Sequence, residues 1–168
     1  MPLTNAKKNH SNMRITGHRG AKGLALENTT ESFQKALDCN VDEIEFDVRV
    51  TKDHVPIIIH DAEVTIDGAS KAVKAHTYDE LKAFAPELLT LNEVLLQLKN
   101  TTALIIEVKP KEPIAPVLEV VATAITNGQD ASLVAFASFD FKTLKNLRAS
   151  LPGAELIVNE RWSGVRAS

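Results

Sequence analysis

From Arg14 onward, short β-branched apolar runs alternate with stretches of helical periodicity, and this alternation most constrains the fold. A helix between two strands supplies the crossover that parallel neighbours need, so the pattern predicts a parallel α/β sheet. The run Met13-Arg14-Ile15-Thr16 leads into Gly17-His18-Arg19-Gly20, a strand ending in a basic loop flanked by glycines. Asn28 with Glu31 reads as a capping-box opening for a helix bearing Phe33, Ala36 and Leu37 on one face. Residues 41–50 alternate strictly. Ile44, Phe46, Val48 and Val50 point one way, and Glu43, Glu45, Asp47 and Arg49 point the other.

A turn over 51–55 precedes the strand Pro56-Ile57-Ile58-Ile59-His60-Asp61, and a loop over 62–76 carries the turn signal Asp67-Gly68. Thr77 with Glu80 and Thr90 with Glu93 open two short helices. Further strands are expected over 104–109, 133–139 and 156–158, and Pro113 and Asp140 begin the helices between them. That makes six strands.

Composition narrows the class. At 168 residues the chain is one domain, with 44% hydrophobic and 24% charged residues, as in ordinary globular proteins. A net charge of -3 gives no electrostatic case for nucleic acid, and no apolar run approaches the ~20 residues of a membrane span. The polar residues 1–12, which include His10, lack the core of a secretory signal and read as a disordered arm, with the domain over 13–168. Cys39, a single cysteine near a helix end, fits a reducing compartment and reads as a small buried side chain. A cytoplasmic location is expected.

The chemistry gathers at strand ends. In parallel α/β folds these ends form one rim where ligands bind. His18, Asp47, His60 and Glu107 all fall at or near such ends. Glu45 and Asp47 share one face of a strand, so they need a cation between them or a retained proton. On a half-exposed antiparallel strand this would be a solvated face. Strands covered on both sides are normally apolar throughout, and carboxylates buried there are costly unless paired or metal-bound. With Glu107 they make three hard oxygen donors, which suit Mg²⁺ or Ca²⁺ better than zinc. His60, beside Asp61 and opposite His18, is placed for proton transfer. Lys109 shares a face with Glu107 and either stabilises phosphate charge or pairs with that carboxylate. His54 and His76 receive no role.

Together His18-Arg19-Gly20, Glu27-Asn28-Thr29, Glu45-x-Asp47, His60-Asp61 and Glu107-x-Lys109 resemble the glycerophosphodiester phosphodiesterase family, in order and spacing over residues 15–158. The resemblance implies a TIM (β/α)8-type barrel and hydrolysis of glycerophosphodiesters to sn-glycerol 3-phosphate and an alcohol, with one divalent cation, Mg²⁺ or Ca²⁺. It implies His18 and His60 as the acid/base pair, Arg19 on the phosphate, and Glu45, Asp47 and Glu107 on the metal. Glu27 would orient glycerol hydroxyls or the metal's waters. A lysophospholipase D or sphingomyelinase D-like activity fits the same framework, as does a non-catalytic barrel that only binds phosphodiesters or partners.

Three positions depart from the family pattern. Leu26 replaces the usual proline, which loosens a loop, and His54 replaces a turn glycine at a position histidine tolerates. A complete barrel has eight strands in typically ~250 residues. With six, the barrel is expected to be incomplete, with about six βα units, and Trp162 does not match the family's later tryptophan. The first strand would then carry an exposed edge through which copies could self-associate.

Overall fold

The computed structural model describes residues 13–66 and 69–160. The arm over 1–12 with His10, the turn Asp67-Gly68 and Trp162 lie outside these residues. In chain order the elements are β1 (Thr16–His18), α1 (Thr30–Asp38), β2 (Glu43–Val50) and β3 (Pro56–Ile58). Next come β4 (Glu63–Ile66) and β5 (Ala69–Ala72), which pair antiparallel, then the short helices α2 (Tyr78–Lys82) and α3 (Leu91–Gln97). β6 (Ala103–Val108), α4 (Ile114–Thr126), β7 (Val134–Ser138), α5 (Phe141–Ser150) and β8 (Glu155–Val158) complete the described chain.

Five strands run parallel in the order β1-β2-β6-β7-β8, the α/β sheet expected of this barrel type. The sixth expected strand, β3, is in the same sheet but runs antiparallel to β2, so the described chain has five parallel strands rather than six. The cause is the connection. Only residues 51–55 join β2 to β3, whereas a parallel return takes about a dozen residues or more. His54 sits in that turn at φ 63°, the left-handed conformation expected to be tolerated there.

β3 does not displace β1. β1 pairs with β2 over Glu43–Glu45, and β3 takes over the same edge from Val48 to Val50, because β6 occupies the other edge. The return carries the chain back past the middle of β2, where Ile59 N–H donates to Asp47 O at 3.0 Å. His60 therefore reaches the rim on a returning segment, not at the end of a parallel strand.

The alternation along β2 separates two buried environments. Ile44, Phe46, Val48 and Val50 pack with Phe33, Leu91, Leu95, Leu104, Ile106, Val117, Phe136 and Leu144 between sheet and helices. Phe33 and Phe46 meet edge-on with centroids 5.8 Å apart, and burying each such ring is worth ~1.5–3 kcal/mol. The opposite face buries Glu43, Glu45, Asp47, Glu107 and Lys109 beside a small cluster of Ile105, Ala135 and Ala137.

Two local expectations are corrected. α1 is capped by Thr29 with Ser32 in a reciprocal box, one residue later than Asn28 with Glu31, which frees Asn28 for another task. Cys39 is exposed, because it is the C-cap of α1, beyond the buried Phe33 and Ala36. The boxes of Thr77 with Glu80 and Thr90 with Glu93 form as read. Among the described residues no helix is long and apolar enough to cross a membrane.

Candidate active site

The loop after β1 is shaped by two left-handed residues, Arg19 at φ 51° and Gly20 at φ 75°. A Cβ on Gly20 would lie 2.7 Å from the Ser32 carbonyl carbon, so only glycine lets the start of α1 come this close. Gly20 N–H donates to Glu45 O at 3.2 Å and Arg19 N–H to Glu45 Oε2 at 2.9 Å. The loop is thus stitched to β2 at the carboxylate that matters. His18 Nε2 lies 3.8 Å from the same Oε2.

Parallel pairing places Asp47 directly opposite Glu107 and brings Glu45 onto the same face. One oxygen from each of the three carboxylates lies within 4.8 Å of the others, all three residues being buried. Like charges at that spacing repel by roughly 3 kcal/mol per pair at an effective dielectric near 20, so the cluster needs positive charge. Lys109 supplies part of it. Its Nζ lies 2.6 Å from Asp47 Oδ1 and also contacts Glu107 Oε1. Arg19 supplies more, with Nε 3.2 Å from Asp47 Oδ2 and Nη1 donating to Glu27 Oε1 at 2.7 Å. Asn28, itself left-handed at φ 59°, donates from Nδ2 to Asp47 Oδ2 at 2.9 Å.

Three carboxylates against two fixed cations leave a deficit. Burial, then the neighbouring Asp47 charge, push Glu45 up to about 7, with Glu107 adding to the rise. Burial also presses Asp47 upward, but hydrogen bonds from Lys109 and Asn28 and the charges of Lys109 and Arg19 outweigh it and hold Asp47 below the ordinary range. Burial, then the Arg19 and Lys22 charges, lower His18. Glu45 Oε1 is buried and accepts no hydrogen bond. An orphaned oxygen on one of three mutually close carboxylates fits a hard divalent cation.

His60 completes the rim. Its Nδ1 lies 2.7 Å from Asp61 Oδ1, which favours the tautomer with the proton on Nδ1 and leaves Nε2 to exchange one. His18, Arg19, Glu45, His60, Glu107 and Lys109 line one cavity of about 560 Å³, and Asp47, 1% exposed, pairs with the lining Arg19 and Lys109. Glu27 stands apart, on the far side of Arg19, in a neighbouring cavity of about 310 Å³ that His60 also lines.

Residues not singled out in the sequence join the site. Asn159, just after β8, donates from Nδ2 to Glu107 Oε2 at 3.0 Å, and no sequence signal marks a lone asparagine after an apolar strand. Phe139 and Pro110 wall the cavity. Arg49 also lines it, and its membership of the Glu45-Asp47 face was the one available clue.

Residues 18–166 match the model of the glycerophosphoryl diester phosphodiesterase family. A glycerophosphodiester phosphodiesterase of Bacillus altitudinis is 32% identical over 160 residues, covering 86% of this chain and 65% of that protein. Among solved structures, the Thermotoga maritima glycerophosphodiester phosphodiesterase superposes with a TM-score of 0.73 at 28% identity, covering 92% of this chain and 65% of that one. An Oleispira antarctica phosphodiesterase, solved with the product sn-glycerol-3-phosphate, gives a TM-score of 0.73 at 24% identity over 88% of this chain and 66% of its own. The chain spans just under two thirds of the length of these relatives. By the matched residues and the shared TIM-barrel architecture, it belongs to the glycerophosphoryl diester phosphodiesterase family.

Proposed function

We propose that this chain hydrolyses glycerophosphodiesters to sn-glycerol 3-phosphate and an alcohol, using His18 and His60 as the acid/base pair. Glu45, Asp47 and Glu107 hold one divalent cation, Mg²⁺ or Ca²⁺. The observation that carries this reading is the gathering, around one cavity, of two histidines from separate segments with three mutually close carboxylates and two cationic side chains. The Oleispira antarctica relative, solved with sn-glycerol-3-phosphate, supports the choice of product class.

The bound cation would supply charge neutralisation at the non-bridging phosphate oxygens. Arg19, held in place by Glu27 and Asp47, adds fixed positive charge at the same mouth. Lys109 has three donors; Asp47 and Glu107 occupy two, and the third is left for a phosphate oxygen. Glu27, in the adjoining cavity that His60 also lines, orients glycerol hydroxyls or the metal's waters. One histidine takes the proton of the attacking hydroxyl and the other protonates the departing alkoxide. Attack by water gives the products directly, whereas attack by the glycerol 2-hydroxyl gives a cyclic phosphodiester that water then opens to sn-glycerol 3-phosphate.

The test is release of glycerol 3-phosphate from glycerophosphocholine with Mg²⁺ or Ca²⁺, compared with the same reaction in excess EDTA. Release that stops in EDTA and returns with the metal is expected. Turnover unaffected by chelation, or folded protein with no turnover under either metal, would overturn the reading. Choline release from a lysophospholipid in place of this reaction would move the substrate class to lipid head groups.

A further inference from the structure

Arg49 follows Asp47 on the inward face of β2, yet it touches none of the three clustered carboxylates. Its side chain is 15% exposed, and its guanidinium is held from two sides. Nε donates to His60 O at 2.9 Å, and Nη1 lies 3.0 Å from Glu112 Oε1. Glu112, 13% exposed, accepts the Val50 N–H on its other oxygen at 3.1 Å.

The position of Glu112 explains why these contacts are rigid. β6 leaves β2 after Val108, with one last bond from Lys109 N–H to Val48 O at 3.2 Å. The chain then turns through Lys111, at φ 68°, and Glu112 N–H bonds back to Lys109 O. This turn puts the Glu112 carboxylate where the next ladder acceptor would be, so it satisfies Val50 N–H in place of backbone. The same carboxylate fixes Arg49. A half-buried guanidinium held by both a carboxylate and a carbonyl has little freedom to move.

The His60 segment otherwise has weak anchorage at this point. β3 ends at Ile58, Ile59 N–H is tied to Asp47 O, and beyond it the His60 ring contacts Asp61, whose side chain is 78% exposed. A half-buried ion pair thus holds the backbone of a residue whose ring faces the cavity and whose side-chain partner is in solvent.

We propose that Arg49 and Glu112 are positioning residues that set the place of His60 relative to the carboxylate cluster. The pair links the turn that follows Glu107 at the end of β6 and begins with Lys109 to the segment that carries the second histidine. It acts through the His60 carbonyl and binds no substrate. The inference rests on His60 being one of the proton carriers of the proposed reaction.

The test compares wild type with Arg49→Met, Arg49→Lys, Glu112→Gln and the Arg49→Met/Glu112→Gln double variant. One arm records the imidazole resonances of ¹⁵N-histidine-labelled protein; the other separates kcat from KM on glycerophosphocholine with Mg²⁺. In Arg49→Met the His60 resonances are expected to shift or split while those of His54 and His76 stay in place, which also shows that the fold is kept. The kcat is expected to fall 10- to 100-fold with KM changed less than threefold. Lysine, which cannot reach both acceptors at once, is expected to restore less than a third of the loss. The double variant should be little worse than Arg49→Met alone. Unmoved His60 resonances with kcat within twofold of wild type would overturn the proposal. So would a KM effect with kcat intact, which would make Arg49 a direct substrate contact. If wild type turns nothing over, the reading of the reaction fails, and the resonance arm still decides the positioning claim.

Discussion

Glu45 is the residue on which the electrostatics of the site turn. It is buried, crowded by Asp47 and Glu107, and left with one oxygen that accepts no hydrogen bond. Without a cation this arrangement costs stability; with one it becomes a ligand set. Glu45→Gln keeps the shape and the acceptor for Arg19 N–H but removes one negative charge. In EDTA the variant is expected to be more stable than wild type by about 1 kcal/mol in urea unfolding, while Mg²⁺ or Ca²⁺ affinity falls at least tenfold by calorimetric titration. A loss of stability above about 2 kcal/mol in EDTA would contradict the repulsion argument. Gly20→Ala tests the loop next to it. A methyl at φ 75° against the Ser32 backbone is expected to destabilise by more than about 2 kcal/mol, measured by the urea midpoint at unchanged slope.

At the scale of elements, most short helices are held by their caps. α3 begins at Thr90, whose hydroxyl accepts from Glu93 N–H at 3.2 Å while Glu93 Oε2 accepts from Thr90 N–H at 2.7 Å. Thr90→Ala is expected to cost about 1 kcal/mol of stability. Burial presses the Glu93 carboxyl upward, but the Thr90 backbone and hydroxyl bonds win and hold it below its ordinary value. A depressed carboxyl stabilises above its unfolded value near 4.5 and loses that contribution as pH falls through the lower folded value. Glu93→Gln should therefore remove part of the fall in stability between pH 5 and the acid transition, read from thermal midpoints.

The same scale shows what the sequence made legible. The period-2 alternation over Glu43–Val50 marked both faces of β2, and the cluster residues on it followed, because a strand's side-chain direction is fixed by count alone. The direction of β3 was also readable, from a five-residue connection too short for a crossover, but the β-branched run masked it. The start of α1 was displaced by one residue because Asn28 looks like a cap by composition. Its side chain is instead drawn to Asp47, a contact across 19 positions that no local pattern encodes. Asn159 and Glu112 were invisible for the same reason, since each acts on a residue more than 50 positions away.

For the whole molecule, the five-stranded parallel sheet and β3 bring all the cluster residues and both histidines to one face, although the chain spans just under two thirds of its relatives' length. If folding assembles the carboxylate cluster, a cation that binds only the folded chain must stabilise it. At a concentration 100-fold above its dissociation constant it adds about 2.7 kcal/mol, a rise in Tm of roughly 5–10 °C for a chain of this size. Differential scanning calorimetry of EDTA-stripped protein with and without Mg²⁺ or Ca²⁺ reads this shift, which Asp47→Asn is expected to abolish. A shift of equal size in Asp47→Asn would place the cation elsewhere.

The central claim joins this site to its chemistry through the histidine pair. The most direct measurement is the initial rate of glycerol 3-phosphate release from glycerophosphocholine, at saturating metal, for wild type, His18→Ala and His60→Ala. Each substitution is expected to lower kcat by 10²–10⁴, the range of a lost general acid or base, with the metal-induced rise in Tm retained. A release rate within a few-fold of wild type in either variant would contradict the account.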